Sequence, residues 1–240
     1  MDYRSAPTPV KWLHRDNLMR DLERLVVSGP LNIALIGSPG SGKTTLAYYI
    51  AQLLLMARGS SVEESMELIL RYHPTDLPSL LRMYYTSINC GRKYPILFLD
   101  DAIPNWFTLQ RSADGQMFWS NFFRYYRLLS DIVVVTLQKP LDKIRPEYSF
   151  LVRKSTKNGR VFTVASLHST YVDRNGNIKH RETRIVFPWR RDFALPPRVE
   201  EAIDAAKRGM MLLPPSPRDL GRLIRKAAKE PCGDAGGEEG

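Results

Sequence analysis

Apolar residues recur at positions 18, 22, 25 and 26 of DNLMRDLERLVVSG (16–29), the spacing of one helical face. Asp16 stands where an N-cap belongs and Gly29 where a helix stops. The next run, LNIALIG (31–37), is short, almost wholly apolar and ends in glycine, which predicts a buried strand. A helix follows over 43–57. SVEESMELILRYH (61–73) predicts another, opened by Ser61 and Glu64 at capping-box spacing. LPSLLRMYYTSI (77–88) predicts a third. YPILFLDD (94–101) and the β-branched DIVVVTLQ (131–138) read as buried strands, with an aromatic-rich helix over 117–130 between them.

After Pro140 the pattern changes. RVFTVASLHSTYV (160–172) and IKHRETRIVFPW (178–189) flank DRNGN (173–177), and Asn-Gly between two strand-like runs signals a hairpin. His180, Glu182 and Arg184 share one face of its second strand, and Lys179, Arg181 and Thr183 the other. Charge on both faces predicts a projecting ribbon; an edge strand defended by charge is the alternative. Two short helices are expected within 198–228, and the small, polar tail is expected to be disordered. There is no internal repeat. Apolar strands separated by helices imply an α/β fold with a mostly parallel sheet covered on both faces. The expected division is a core over 1–140, a basic hairpin extension over 141–192, short helices over 193–228 and a tail over 229–240.

Charge sharpens this division. The chain has 240 residues and a net charge of +10. Residues 139–191 hold thirteen lysines and arginines against four acids, whereas the rest of the chain holds 22 against 21. A local excess of this kind points to a polyanion, usually nucleic acid; a solvated surface or a contact with an acidic subunit are the other readings. The longest apolar stretch, residues 46–57, contains Gln52 and is too short to span a bilayer. The N-terminus has no apolar core of a signal peptide. Cys90 and Cys232 form neither a disulfide framework nor a zinc site, which fits a reducing compartment and a cytoplasmic location. His14, His73, His168 and His180 are too scattered to suggest a metal centre.

The chemistry concentrates after the first strand. GSPGSGKTT (37–45) satisfies G-x-x-x-x-G-K-[ST], with Gly37, Gly42, Lys43 and Thr44 in register. Gly37, Ser38, Pro39, Gly40, Ser41, Gly42, Lys43, Thr44 and Thr45 would form a loop whose N–H groups converge on phosphate oxygens at a helix N-terminus. Lys43 would reach the β- and γ-phosphates of ATP, and the Thr44 hydroxyl a Mg²⁺ ion. Downstream, ILFLDD ends an apolar strand in two acids. Asp100 is placed to hold the same Mg²⁺; the alternative is that Asp100 and Asp101 cap a following helix.

With these motifs the chain resembles the P-loop ATPases with an additional catalytic strand, the division containing AAA+, RecA-like and FtsK–HerA proteins. The resemblance covers roughly residues 13–140. It implies that DIVVVTLQ lies between the P-loop strand and the acid-bearing strand and offers Thr136 and Gln138 as sensors. It also implies that Asp101 orients the attacking water. The family usually has Glu there, and Asp is one methylene shorter, so either slow hydrolysis or a backbone adjusted to compensate is expected. The lead-in LHRDNLMRDLERLV resembles the helix preceding the P-loop in AAA+ proteins, near the adenine. The sensor strand ending in Gln, with KPLDKIR after it, resembles FtsK–HerA and zonular-occludens-toxin-type phage ATPases, which move or package DNA.

These proteins commonly act as rings with an arginine donated by a neighbour. Arg124, Arg127, Arg145 and Arg153 are the candidates, with no choice among them. Lys179, Arg181, Arg184, Arg190 and Arg191 are the expected DNA contacts. The aromatic segment 106–127 reads as a core-facing helix, or else as a base-stacking or subunit-contact stripe. The function expected is a Mg²⁺-dependent ATPase acting on DNA as a homo-oligomer, as a replication or loading factor or a small translocase. A nucleotide-driven protein scaffold or signalling switch, and a small-molecule P-loop kinase, are the alternatives.

Overall fold

The structure is a computed structural model that describes residues 3–100, 113–139, 146–211 and 217–229. The expectations for Asp101 and Arg145, and for the tail after residue 229, lie outside those residues.

The lead-in forms two helices, α1 (Thr8–His14) and α2 (Asn17–Ser28). They break where the Asp16 carboxylate accepts from the Leu18 and Met19 amides, capping α2. Strand β1 (Leu31–Ile36) leads through the glycine-rich loop into α3 (Lys43–Ala57). Helix α3 is apolar on nearly all sides and correspondingly buried. Helix α4 (Val62–Arg71) opens with the expected Ser61–Glu64 capping box, and α5 (Leu77–Cys90) follows. Strand β2 (Leu97–Leu99) is shorter than the sequence pattern implied. The aromatic segment gives two helices, α6 (Ala113–Arg124) and α7 (Tyr126–Leu129), ahead of β3 (Ile132–Leu137). Then come β4 (Tyr148–Lys157), β5 (Arg160–Val172), β6 (Ile178–Pro188), α8 (Pro197–Met211) and α9 (Pro217–Ala228).

All six strands join one sheet in the order β2-β3-β1-β4-β5-β6. The pairs β2–β3, β3–β1 and β1–β4 are parallel, whereas β4–β5 and β5–β6 are antiparallel. Thus β3 sits between the strand before the glycine-rich loop and the strand before Asp100.

Strand alternation divides the core between the two faces of the sheet. Ile33, Leu35, Phe98, Ile132, Val134, Phe150 and Val152 pack with α1–α4 on one face. Ala34, Ile36, Leu97, Leu99, Val133 and Val135 pack with α5, α6, α7 and α9 on the other. From residue 113 on, the aromatic segment belongs to this second layer: Phe118, Trp119, Phe122, Phe123 and Tyr126 are buried, as the core-facing reading expected, and residues 106–112 lie outside the described residues.

Three expectations are corrected. The sheet is not covered on both faces throughout: its second face is partly open at β4 and β6. On the second face of β4–β6, Leu151 and Val186 are 49% and 45% exposed. The basic hairpin is not simply a projecting ribbon. Its base is part of the sheet, with Val164, Ala165, Ile185 and Phe187 buried, and only the distal half from His168 to Arg184 stands in solvent. Finally, Cys90 is disulfide-bonded, so the cysteine count is no argument for a reducing compartment. Among the described residues, no helix is long and apolar enough to cross a membrane.

Strand β4 has no counterpart in the sequence reading. Its inward residues Phe150 and Val152 alternate with Leu151 and Arg153, and an outward-facing leucine obscures the period. The β4–β5 turn did carry a signal. Asn158 and Gly159, at φ 51° and 70°, both take the left-handed conformation of a type I′ hairpin turn. At the β5–β6 turn the Asp173 carboxylate accepts from the Asn175 and Asn177 amides.

The burial pattern separates two aromatic truncations. Phe150→Ala should cost about 3–5 kcal/mol in denaturant unfolding, as for a buried aromatic. Tyr171→Ala, on the exposed distal ribbon, should change stability by no more than about 0.5 kcal/mol.

Candidate functional site

The glycine-rich loop follows β1 and crosses the edge of β4 and β5. Gly37 donates its N–H to the Leu137 carbonyl at 2.9 Å. A side chain at Gly37 would overlap the Val152 carbonyl oxygen, so this approach requires glycine. Gly42 caps α3 in the left-handed conformation (φ 82°), and a side chain there would collide with Thr163 Oγ1. Thr163 Oγ1 in turn donates to the Ser41 carbonyl at 2.8 Å and accepts from Trp189 Nε1 at 2.6 Å. The loop is therefore braced from outside by two residues that the sequence reading did not single out. Ser38, Pro39 and Gly40 are exposed, whereas Ser41 and Lys43 are buried. Ser41 Oγ has no hydrogen-bond partner.

Asp100 lies just after β2 and is almost completely buried. Thr44 Oγ1 donates to its Oδ1 at 2.8 Å, and Thr136 Oγ1, near the end of β3, donates to the same oxygen at 2.7 Å. The adjacency of β1, β3 and β2 delivers these three residues to one point. On the other side, Lys207 of α8 brings its Nζ to 2.9 Å from Asp100 Oδ2. Burial pushes the Asp100 carboxyl up, but the Lys207 ammonium and the Thr136 and Thr44 hydroxyls outweigh it and hold the group below its ordinary value. Sequence gave no hint of Lys207, which is one cation among several on an amphipathic helix more than a hundred residues away.

His73 is a further buried ionisable group here. Its Nδ1 lies 2.8 Å from the Phe98 carbonyl oxygen, which fixes Nδ1 as the donor, and Nε2 has no hydrogen-bond partner. Burial lowers its pKa, with Lys207 adding to the effect and the Phe98 carbonyl and Asp100 opposing it.

The remaining predicted residues divide into groups. Thr136 touches Asp100. Gln138, one residue beyond β3, is exposed. Lys179, Arg181 and Arg184 lie exposed on the distal ribbon, where Arg184 pairs with Glu182 at 2.5 Å. Arg190 and Arg191 do not belong to that ribbon. They line a cavity of about 420 Å³ that also touches Gly42 and Thr45. Of the arginine-finger candidates, Arg127 pairs with Glu147 at 2.7 Å, while Arg124 and Arg153 are exposed.

The Thr44 hydroxyl and the Asp100 carboxylate are oxygen donors of the kind a divalent cation takes, and the Lys207 ammonium stands on the same carboxylate. Among the described residues, no three or more His, Cys, Asp or Glu cluster as a metal site. No protein-family model matches the chain, and no curated protein matches it.

Removing Lys207 leaves a buried carboxylate uncompensated. Lys207→Ala should lower stability by about 3 kcal/mol, the low end for a broken buried pair because the lysine is partly exposed. Asp100→Asn in the same chain should recover part of that loss in denaturant titration. The pH dependence follows from His73. Its native pKa lies below 6.5, so the unfolded chain takes up the proton first as pH falls through that value. Thermal unfolding midpoints should therefore drop between about pH 7 and about pH 5, and His73→Gln should flatten that part of the curve. Asp100 acts in the same direction only below its ordinary 3.8.

Proposed function

We propose that the chain is a Mg²⁺-dependent ATPase that acts on DNA as a homo-oligomer. One observation carries the nucleotide half of this reading. The loop residue Thr44 and the strand-end residue Asp100, 56 positions apart, meet at 2.8 Å beside Thr136 of the strand between them. A phosphate loop and a metal-holding carboxylate need this juxtaposition; a helix-capping pair of acids does not.

The roles follow from the side chains. The loop N–H groups and the N-terminus of α3 receive the phosphates, with the Ser41 hydroxyl as a further donor. Lys43 supplies positive charge to the β- and γ-phosphates. Thr44 and Asp100 hold Mg²⁺, which when bound neutralises charge on the phosphate oxygens. Thr136 fixes the Asp100 carboxylate by its hydrogen bond. Gln138 and Asp101 retain the sensor and water-orienting roles that the family resemblance implies, with slow turnover from the shorter Asp101. The Lys207 ammonium compensates Asp100 and would compete with a divalent cation for its carboxylate.

The DNA half rests on charge. Lys179, Arg181 and Arg184 stand on an exposed two-stranded ribbon, a form able to follow a phosphate backbone or enter a groove. The scaffold reading is favoured by a different feature, the exposed Leu151 and Val186 on the uncovered sheet face, which suit a protein partner.

Phosphate release should require Mg²⁺, rise with DNA and vanish in Lys43→Ala. Tight ATP binding with no turnover, with or without DNA, would move the assignment to a nucleotide-driven switch. In Mn²⁺ titrations followed by electron paramagnetic resonance, Lys207→Met should bind the ion more tightly than the parent chain. DNA affinity should fall steeply with salt, and Lys179→Ala with Arg181→Ala should reduce the log–log slope by about two. Salt-insensitive binding, or none, would favour the protein-scaffold reading.

A further inference from the structure

The cavity beside the glycine-rich loop is a second concave feature, and its wall is shared with the loop. Gly42 and Thr45 belong both to the start of α3 and to the lining of this space of about 420 Å³. That volume lies in the lower part of the range for small-molecule sites. The far wall comes from the segment after β6, including Trp189, Arg190 and Phe193, and from Glu200 on α8.

This wall is aromatic and fixed in place. Trp189 Nε1 donates to Thr163 Oγ1 at 2.6 Å, and Lys154 Nζ lies 4.5 Å from the centroid of the indole. Phe193 is buried and meets Phe187 edge-to-face at 4.9 Å. Behind it, Trp12 of α1 donates to the Val186 carbonyl at 3.1 Å and meets Phe193 at 5.9 Å. A neighbouring helix clamps the closing element, since Arg198 of α8 pairs with Glu67 of α4. The polar groups at the rim are the Arg190 and Arg191 guanidiniums and the Glu200 carboxylate.

We infer that this cavity seats the aromatic base and ribose of the nucleotide whose phosphates occupy Gly37–Thr45. The inference rests on the phosphate-loop reading given above. A flat base has π-faces to pack on a rigid indole and ring-edge donors and acceptors for charged side chains, whereas an alkyl ligand uses only the first. Because the loop and the cavity share Gly42 and Thr45, a ligand anchored by its phosphates leads directly into the cavity. Helix α1, through Trp12, backs the aromatic wall.

The test compares Mg·ATP with Mg·tripolyphosphate by titration calorimetry on the full chain. The parent should bind ATP at least about tenfold more tightly than tripolyphosphate. Trp189→Ala should weaken ATP more than tripolyphosphate and so remove most of that advantage, and Trp189→Phe, which restores an aromatic face but not the bond to Thr163, should restore most of it. Equal affinity of the parent for the two ligands would overturn the base site and leave the phosphate site standing. An equal loss for both ligands in Trp189→Ala would also overturn it, because Trp189 would then act only by bracing the loop through Thr163. If neither ligand binds the parent, the phosphate-loop reading falls and the base site falls with it. Thermal unfolding of each variant separates loss of binding from loss of fold.

Discussion

The centre of this molecule depends on the compensation of one buried carboxylate. Asp100 has almost no surface of its own, and a charge in that position is tolerated only where partners replace its lost hydration. The partners come from three parts of the chain: Thr44 from the loop after β1, Thr136 from β3 and Lys207 from α8. The strand order allows the first two to meet it. With β3 between β1 and β2, the three C-terminal ends lie side by side, and the residues leaving them converge. Ligands in open α/β sheets bind outside such strand ends for this reason.

The second half of the sheet braces the first. Strands β4 and β5 come close enough to the loop that Gly37 and Gly42 have no room for side chains, and Thr163 holds the Ser41 carbonyl. The segment after β6 supplies Trp189, which holds Thr163. A basic segment that looks like a separate appendage in sequence thus forms part of the loop's support. Its distal half carries the exposed cations, and its base carries buried Ile185 and Phe187. One pair of strands therefore connects the proposed polyanion-binding surface to the proposed nucleotide site through continuous backbone hydrogen bonding.

Much of the α/β pattern was readable because its signals are local. The nearly all-apolar runs of β1 and β3, the capping box at Ser61, the Asp16 cap and the Asn-Gly turn at 175–176 each depend on residues a few positions apart. The glycine-rich motif is local too, since loop geometry and helix start are encoded within nine residues. Strand β4 escaped because Leu151 points outward and breaks the expected alternation. The Asn158-Gly159 turn that ends it is the one local signal it carries. The break at Tyr125 in the aromatic segment lacks a glycine or proline to mark it.

The sequence by itself determined the strand and helix types of the central layers, the loop that receives phosphate in the proposed function, and the concentration of positive charge after Pro140. These follow from periodicity, from the backbone freedom of glycine and from simple charge counting. Tertiary structure alone decided that Lys207 compensates Asp100, that Thr163 and Trp189 brace the loop, and that Arg190 and Arg191 line a cavity beside it and not the charged ribbon. Each of these pairings joins residues far apart in the chain. No local pattern encodes such a meeting, because it is fixed by strand order and by how α8 packs across the strand ends.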